Sequence, residues 1–205
     1  MSTVETQAEP EVAKPVAVCF PEHRITTERY LKMVEAGVFA DGEPIFLLDG
    51  KLVEEMTKGT PHNSASDKLI YLLVALVPQG WYVRVEKPIL MADGSVPEPD
   101  LMIVRGGLED YTSRMTVPAD VVISIEIADS SLPQDFRVKL PLYAKAGIPV
   151  YWLVNIPSRR LEVYEGPTAS GYARRHDFGL DDEVPVILDG REVGRLAASG
   201  FLPLA

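Results

Sequence analysis

The sequence contains one cysteine, Cys19, so an internal disulfide is excluded and a reducing compartment such as the cytoplasm suits the chain. Its three histidines include no pair at metal-ligand spacing, which argues against zinc. Long apolar runs are missing too: Leu69 to Val77 is closed by Lys68 and Pro78, far short of a membrane span, and reads as a buried helix. The amino-terminal stretch carries Glu5, Glu9 and Glu11, without the basic start of a secretory signal, although Val16 to Phe20 is briefly hydrophobic. Gly106-Gly107 lacks the spacing of a phosphate loop, and no Gly-x-Ser-x-Gly elbow surrounds Ser130-Ser131, whose hydroxyls read as helix caps. Basic residues are few, 20 against 30 acidic, for a net charge of −10. That balance disfavours loose binding to a polyanion unless the cations cluster on one face.

A hydrophobic fraction of 46% over 205 residues suits one globular domain. Residues 1–15 are polar and proline-punctuated and are expected to form a disordered tail, leaving 16–205 as a single domain. Thr26 or Thr27 caps a short amphipathic helix through Tyr30, Leu31, Val34 and Val38 that ends at Gly37. Ile45 to Leu48, Asp49-Gly50 and Leu52 to Met56 read as a tight β-hairpin. A second helix is expected from about Asn63, with Asn63 or Ser64 as cap, to Leu76. Trp81 to Val85, Pro88 to Met91 and Asp100 to Val104 read as strands, and the interval Arg105 to Ala119 as irregular. Val121 to Ile127 is almost continuously apolar, as a central strand covered on both faces should be. A helix from Gln134 to Ala146 then connects it to a strand at Val150 to Val154. Leu161 to Tyr164, Gly171 to Arg175 and Val184 to Leu188 read as shorter, exposed strands.

Glu126 is the anomaly in the central strand, because an ionised carboxylate loses several kcal/mol of effective solvation there unless something pairs with it. A divalent cation is one partner. If Asp100, at the mouth of another apolar strand, lies on a neighbouring strand about 4.8 Å away, the two carboxylates can share one Mg²⁺. Asp135, Lys139 and Tyr143, spaced by four, share one face of the following helix and can look back at Glu126. Plainer roles stand beside these. Asp100 can cap its strand, Glu126 can pair with Lys139 or Arg137 without metal, Lys139 can be a solvated helix lysine, and His62 can be a packing contact.

Glu98-Pro-Asp100-Leu, Ile125-Glu-Ile-Ala-Asp-Ser-Ser131, and the run from Asp135 through Lys139 to Trp152 together resemble the Uma-two family of restriction-endonuclease-like proteins. So do the hairpin and Met56-Thr-Lys-Gly-Thr-Pro-His62, in the same order from about Thr26 to Tyr164. The resemblance implies an α/β, restriction-endonuclease-like fold: a mixed central β-sheet flanked by α-helices, after an N-terminal helix and β-hairpin. It also implies a PD-(D/E)xK site whose lysine has moved from strand to helix, with metal-binding acids at Asp100 and Glu126 and the lysine at Lys139. The ordinary lysine position, two after Glu126, is Ala128. Where many members carry an acid on the first hairpin strand this chain has Phe46, for which Glu54 or Glu55 is the candidate substitute.

These readings converge on a cytoplasmic, Mg²⁺-dependent endonuclease, with Mn²⁺ able to substitute, that cuts DNA and, by the resemblance, works as a homodimer. Asp100, Glu126 and the Ile127 carbonyl are the expected metal ligands, and Lys139 the catalytic lysine. Glu54, His62, Glu98, Asp135 and Tyr143 are the expected supporting residues. The rival expectation is a catalytically inactive nuclease-fold module that binds protein or nucleic acid, which the acidic charge favours.

Overall fold

The computed structural model describes residues 21–203, so the expected tail lies outside the described residues. Helix α1 (Thr27–Glu35) opens with Thr26 accepting from the Arg29 N–H, as a threonine cap should. The hairpin follows as β1 (Ile45–Leu48) and β2 (Lys51–Glu54). Its turn places Asp49 at φ 47° and Gly50 at φ 73°, the two positive angles of a two-residue hairpin turn. A methyl group on Gly50 would come within 2.7 Å of Arg24 Cβ and 3.2 Å of the Ile25 carbonyl. Gly50→Ala is therefore expected to cost at least about 1 kcal/mol in urea denaturation, combining a strained backbone angle with a main-chain collision. A loss below about 0.3 kcal/mol would show that the turn relaxes freely.

Helix α2 (Thr60–Leu76) begins three residues earlier than the sequence suggested, with Gly59 rather than Asn63 or Ser64 at the cap position. Pro61 explains the shift, since its missing N–H and fixed φ suit the first turn of a helix. Strands β3 (Trp81–Val85), β4 (Leu101–Arg105), β5 (Val121–Ala128), β6 (Val150–Asn155), β7 (Arg160–Thr168) and β8 (Gly171–Phe178) form one sheet in that spatial order. Only the β5–β6 pair is parallel, so the sheet is mixed. Pro88 to Met91 is not a strand. Proline removes one donor, and Ile89 meets its neighbour at a single bridge to Thr116.

All eight residues of β5 are buried. Their alternation divides the core: Ile123, Ile125 and Ile127 pack with Leu69 and Leu73 of α2, while the opposite face meets Tyr143, Tyr151 and Leu153. Burial of each large aliphatic side chain contributes about 1.5–3 kcal/mol. The β5–β6 crossover is helical in three stretches, α3 (Leu132–Gln134), a π-helical turn over Asp135–Lys139 and α4 (Leu140–Lys145). It therefore starts before the expected Gln134, and the N-cap Ser131 makes no side-chain cap bond.

The last strands correct the sequence reading. Strands β7 and β8 are nine and eight residues long and complete the main sheet; Leu161, Glu162, Val163 and Tyr164 are buried. Strand β9 (Glu183–Leu188) pairs with β10 (Arg191–Ala197), which lacks an apolar run and was not foreseen. Asp189-Gly190, with φ 49° and 82°, turns this hairpin as Asp49-Gly50 turns the first. Its Val184, Val186 and Leu196 join the α2 side of the core. No helix among the described residues is long and apolar enough to cross a membrane.

Candidate active site

Leu101 pairs with Ile125 in the antiparallel β4–β5 ladder, which sets Asp100 opposite Glu126 on adjacent strands. Strand alternation turns Glu126 to the sheet face covered by α4, while Asp100, just before β4, meets Lys58 and the start of α2. Asp100 Oδ2 accepts from the Ile127 N–H at 2.7 Å. Its Oδ1 lies 2.9 Å from Lys58 Nζ and 3.1 Å from His62 Nε2, yet neither donor is aligned for a hydrogen bond, so charge attraction rather than a directed bond holds that oxygen.

Glu126 is enclosed by the crossover. Tyr143 Oη donates to Oε1 at 2.8 Å and Lys139 Nζ donates to Oε2 at 2.9 Å. The same ammonium meets Glu55 Oε1 at 2.9 Å and Asp135 Oδ1 at 3.3 Å. In the π-helical turn Asp135 and Lys139 are buried, while Phe136 and Val138 remain exposed. The predicted spacing-by-four of Asp135, Lys139 and Tyr143 therefore does converge on Glu126, through a turn wider than an α-helix.

Burial pushes the Glu126 carboxyl well above the usual range, with the negative charges of Asp135 and Asp100 adding to the rise and Lys139 opposing it. Burial also works against the Lys139 ammonium, but Glu126, Asp135 and Glu55 outweigh it and hold the group protonated. Asp100 goes the other way. Burial would raise it, but the His62 contact, the Lys58 charge and the Ile127 N–H together bring it to about 2. For His62, burial is overcome by Asp100, which raises its affinity for a proton. Burial beside Glu126 keeps Tyr143 a neutral donor.

Glu55, Lys58, His62, Asp100, Glu126, Asp135 and Lys139 line a narrow cleft walled by the 55–59 loop, the start of α2 and the Asp129–Ser131 turn. Among the described residues no three His, Cys, Asp or Glu side chains converge as a ready-made metal cage. The donor set nevertheless fits a hard cation. Five carboxyl groups (Glu55, Asp100, Glu126, Asp129, Asp135) line it with two lysines (Lys58, Lys139), and Mg²⁺ ordinarily takes only one or two carboxylates beside water.

The family model of Uma2, described as "Putative restriction endonuclease", matches residues 27–196, from the start of α1 to the end of β10. The chain belongs to the Uma2 family. A crystal structure from Anabaena variabilis, described as a putative nuclease belonging to DUF820, shares the fold: TM-score 0.64, 18% identity, over 86% of this chain and 97% of that one. None of the curated proteins compared with the chain matches it.

Within this Uma2 chain the expected supporting residues separate. His62 reaches Asp100, and Asp135 and Tyr143 reach the Lys139–Glu126 pair. Glu54 is exposed and lines neither this cleft nor its neighbour, because strand alternation sends Glu55, not Glu54, toward Lys139. Glu98 is half-buried and lines the neighbouring cleft with Phe46, and burial raises its carboxyl. Lys58 is the site residue that the sequence reading passed over. A loop lysine between β2 and α2 has no periodicity to mark it, and only tertiary folding sets it on Asp100.

Proposed function

We propose that this Uma2 chain is a cytoplasmic, Mg²⁺-dependent endonuclease that hydrolyses DNA phosphodiester bonds. The observation that carries the reading is the placement of two buried carboxylates, Asp100 and Glu126, directly across a β-ladder at the floor of a cleft rich in acids and lysines. Family membership supplies the reaction class.

Asp100 and Glu126, with the Ile127 carbonyl as a further ligand, would hold the Mg²⁺ or Mn²⁺, whose contribution when bound is a lowered water pKa and neutralised phosphate charge. The chain's own residues prepare the two acids. The Ile127 N–H and His62 orient Asp100; Tyr143 and Lys139 orient Glu126 and offset its burial. Lys139, expected from the sequence as the catalytic lysine, is tied to three carboxylates and acts by holding Glu126. In hydrolysis a water oxygen bonds to phosphorus in line with the leaving sugar oxygen, that P–O bond breaks, the water gives up a proton to solvent, and the departing sugar oxygen takes one up to become a hydroxyl. Cutting both strands of a duplex in one encounter takes two such sites, which the homodimer that the family resemblance implies would supply.

Purified protein is expected to cut plasmid DNA with Mg²⁺ or Mn²⁺, to stop in excess EDTA, and to resume when metal is restored. No cleavage of any DNA under either metal would defeat the proposal. The inactive-module reading draws support from the Lys139–Glu126 ion pair, which satisfies the buried acid without metal. It requires that calorimetry detect no Mg²⁺ or Mn²⁺ binding that Asp100→Asn abolishes.

A further inference from the structure

Three cationic or potentially cationic side chains stand in the cleft, and they differ in freedom. Lys139 has three N–H donors and three carboxylate partners, its side chain is 6% exposed, and moving it would strand Glu126 and Asp135 as buried charges. His62 is 7% exposed and turned to Asp100. Lys58 differs. It rides a loop, is 25% exposed, and divides its charge among Glu86 at 2.7 Å, Asp100 at 2.9 Å and, more remotely, Glu55 at 3.9 Å. Glu86 is itself 53% exposed, and a solvent-exposed ion pair of that kind is held weakly and exchanges readily.

Lys58 also lines both the active-site cleft and the adjoining one, where it is the lone basic residue beside Glu43, Glu55, Glu86 and Glu98. A polyanion entering from the active-site side would meet Lys58 at the border and a glutamate-rich wall beyond it, where the exposed Lys87 stands beside Glu98.

We propose that Lys58 is the residue that contacts a phosphate of the bound strand, exchanging Glu86 for it. The inference rests on the nuclease reading of the same cleft. Lys139 remains a positioning residue on Glu126.

Binding of a short fluorescein-labelled DNA duplex to the full chain tests this, followed by anisotropy across a KCl series with Ca²⁺ replacing Mg²⁺ to suppress cleavage. Lys58→Met is expected to bind about tenfold more weakly, and its slope of log K against log salt to flatten by about 0.9, one phosphate contact. Lys58→Arg should keep both within about twofold, and Glu86→Gln should bind about threefold more tightly by freeing the lysine. Calorimetry should find Ca²⁺ affinity in Lys58→Met equal to wild type or tighter, because a competing cation has left Asp100. An unchanged salt slope in Lys58→Met, lost Ca²⁺ affinity, or equal flattening in Lys139→Met overturns the assignment while wild-type cleavage leaves the nuclease reading standing. A wild type that neither binds nor cuts DNA overturns both.

Discussion

Asp100→Asn is expected to slow metal-dependent DNA cleavage about a thousandfold, the equivalent of about 4 kcal/mol of transition-state stabilisation. The substitution isolates charge from shape. Asparagine keeps an oxygen that can accept from the Ile127 N–H, so the β4–β5 junction is retained, while the anion that attracts Lys58, His62 and a metal is lost. Asp100 carries the lowered carboxyl of the cleft and remains ionised at every pH at which the protein would work. Single-turnover cleavage rates for the two proteins at saturating Mg²⁺ provide the comparison. Equal rates would remove Asp100 from the chemistry.

Lys139→Met is expected to destabilise the metal-free protein by about 3–5 kcal/mol at pH 7, because it leaves Glu126 fully buried with its charge unpaired beside Asp135. The double variant Glu126→Gln with Lys139→Met should recover more than half of that loss, since no buried charge then lacks its partner at Glu126. The pH dependence follows from the direction of the Glu126 shift. Its folded carboxyl lies above the ordinary value of 4.5 because of burial, so its contribution to stability is greatest below that value and is lost as pH rises through the folded one. Without Lys139 the rise is larger, and the deficit at pH 7 should shrink on acidification toward pH 5 as Glu126 takes up a proton. Urea denaturation at the two pH values measures this. A deficit under 1 kcal/mol at pH 7, or one that grows on acidification, would contradict the described pair.

Much of this was legible before folding because the signals are local. Asp49-Gly50 determines a hairpin turn through backbone angles alone, and the apolar run Val121 to Ile127 marks a doubly covered strand through composition alone. Glu126 was conspicuous for the same reason: one carboxyl in such a run must find a partner. Other features were not local. Strand β10 is half polar and gains its place only by pairing with β9 and packing against α2, and Pro88 to Met91 has strand composition but bridges its neighbour at Thr116 alone, short of a ladder.

The site divides along the same line. Sequence by itself determined that Asp100 and Glu126 are carboxylates at the mouth and within apolar strands, and that Asp135, Lys139 and Tyr143 share a helical face. Tertiary structure alone decided the register that sets the two acids opposite each other, the choice of Glu55 over Glu54, and the arrival of Lys58 on Asp100. The reason is range. Periodicity and turn chemistry act over a few residues, whereas the partners of a buried charge are chosen by whichever distant segments the packed sheet brings within about 3 Å.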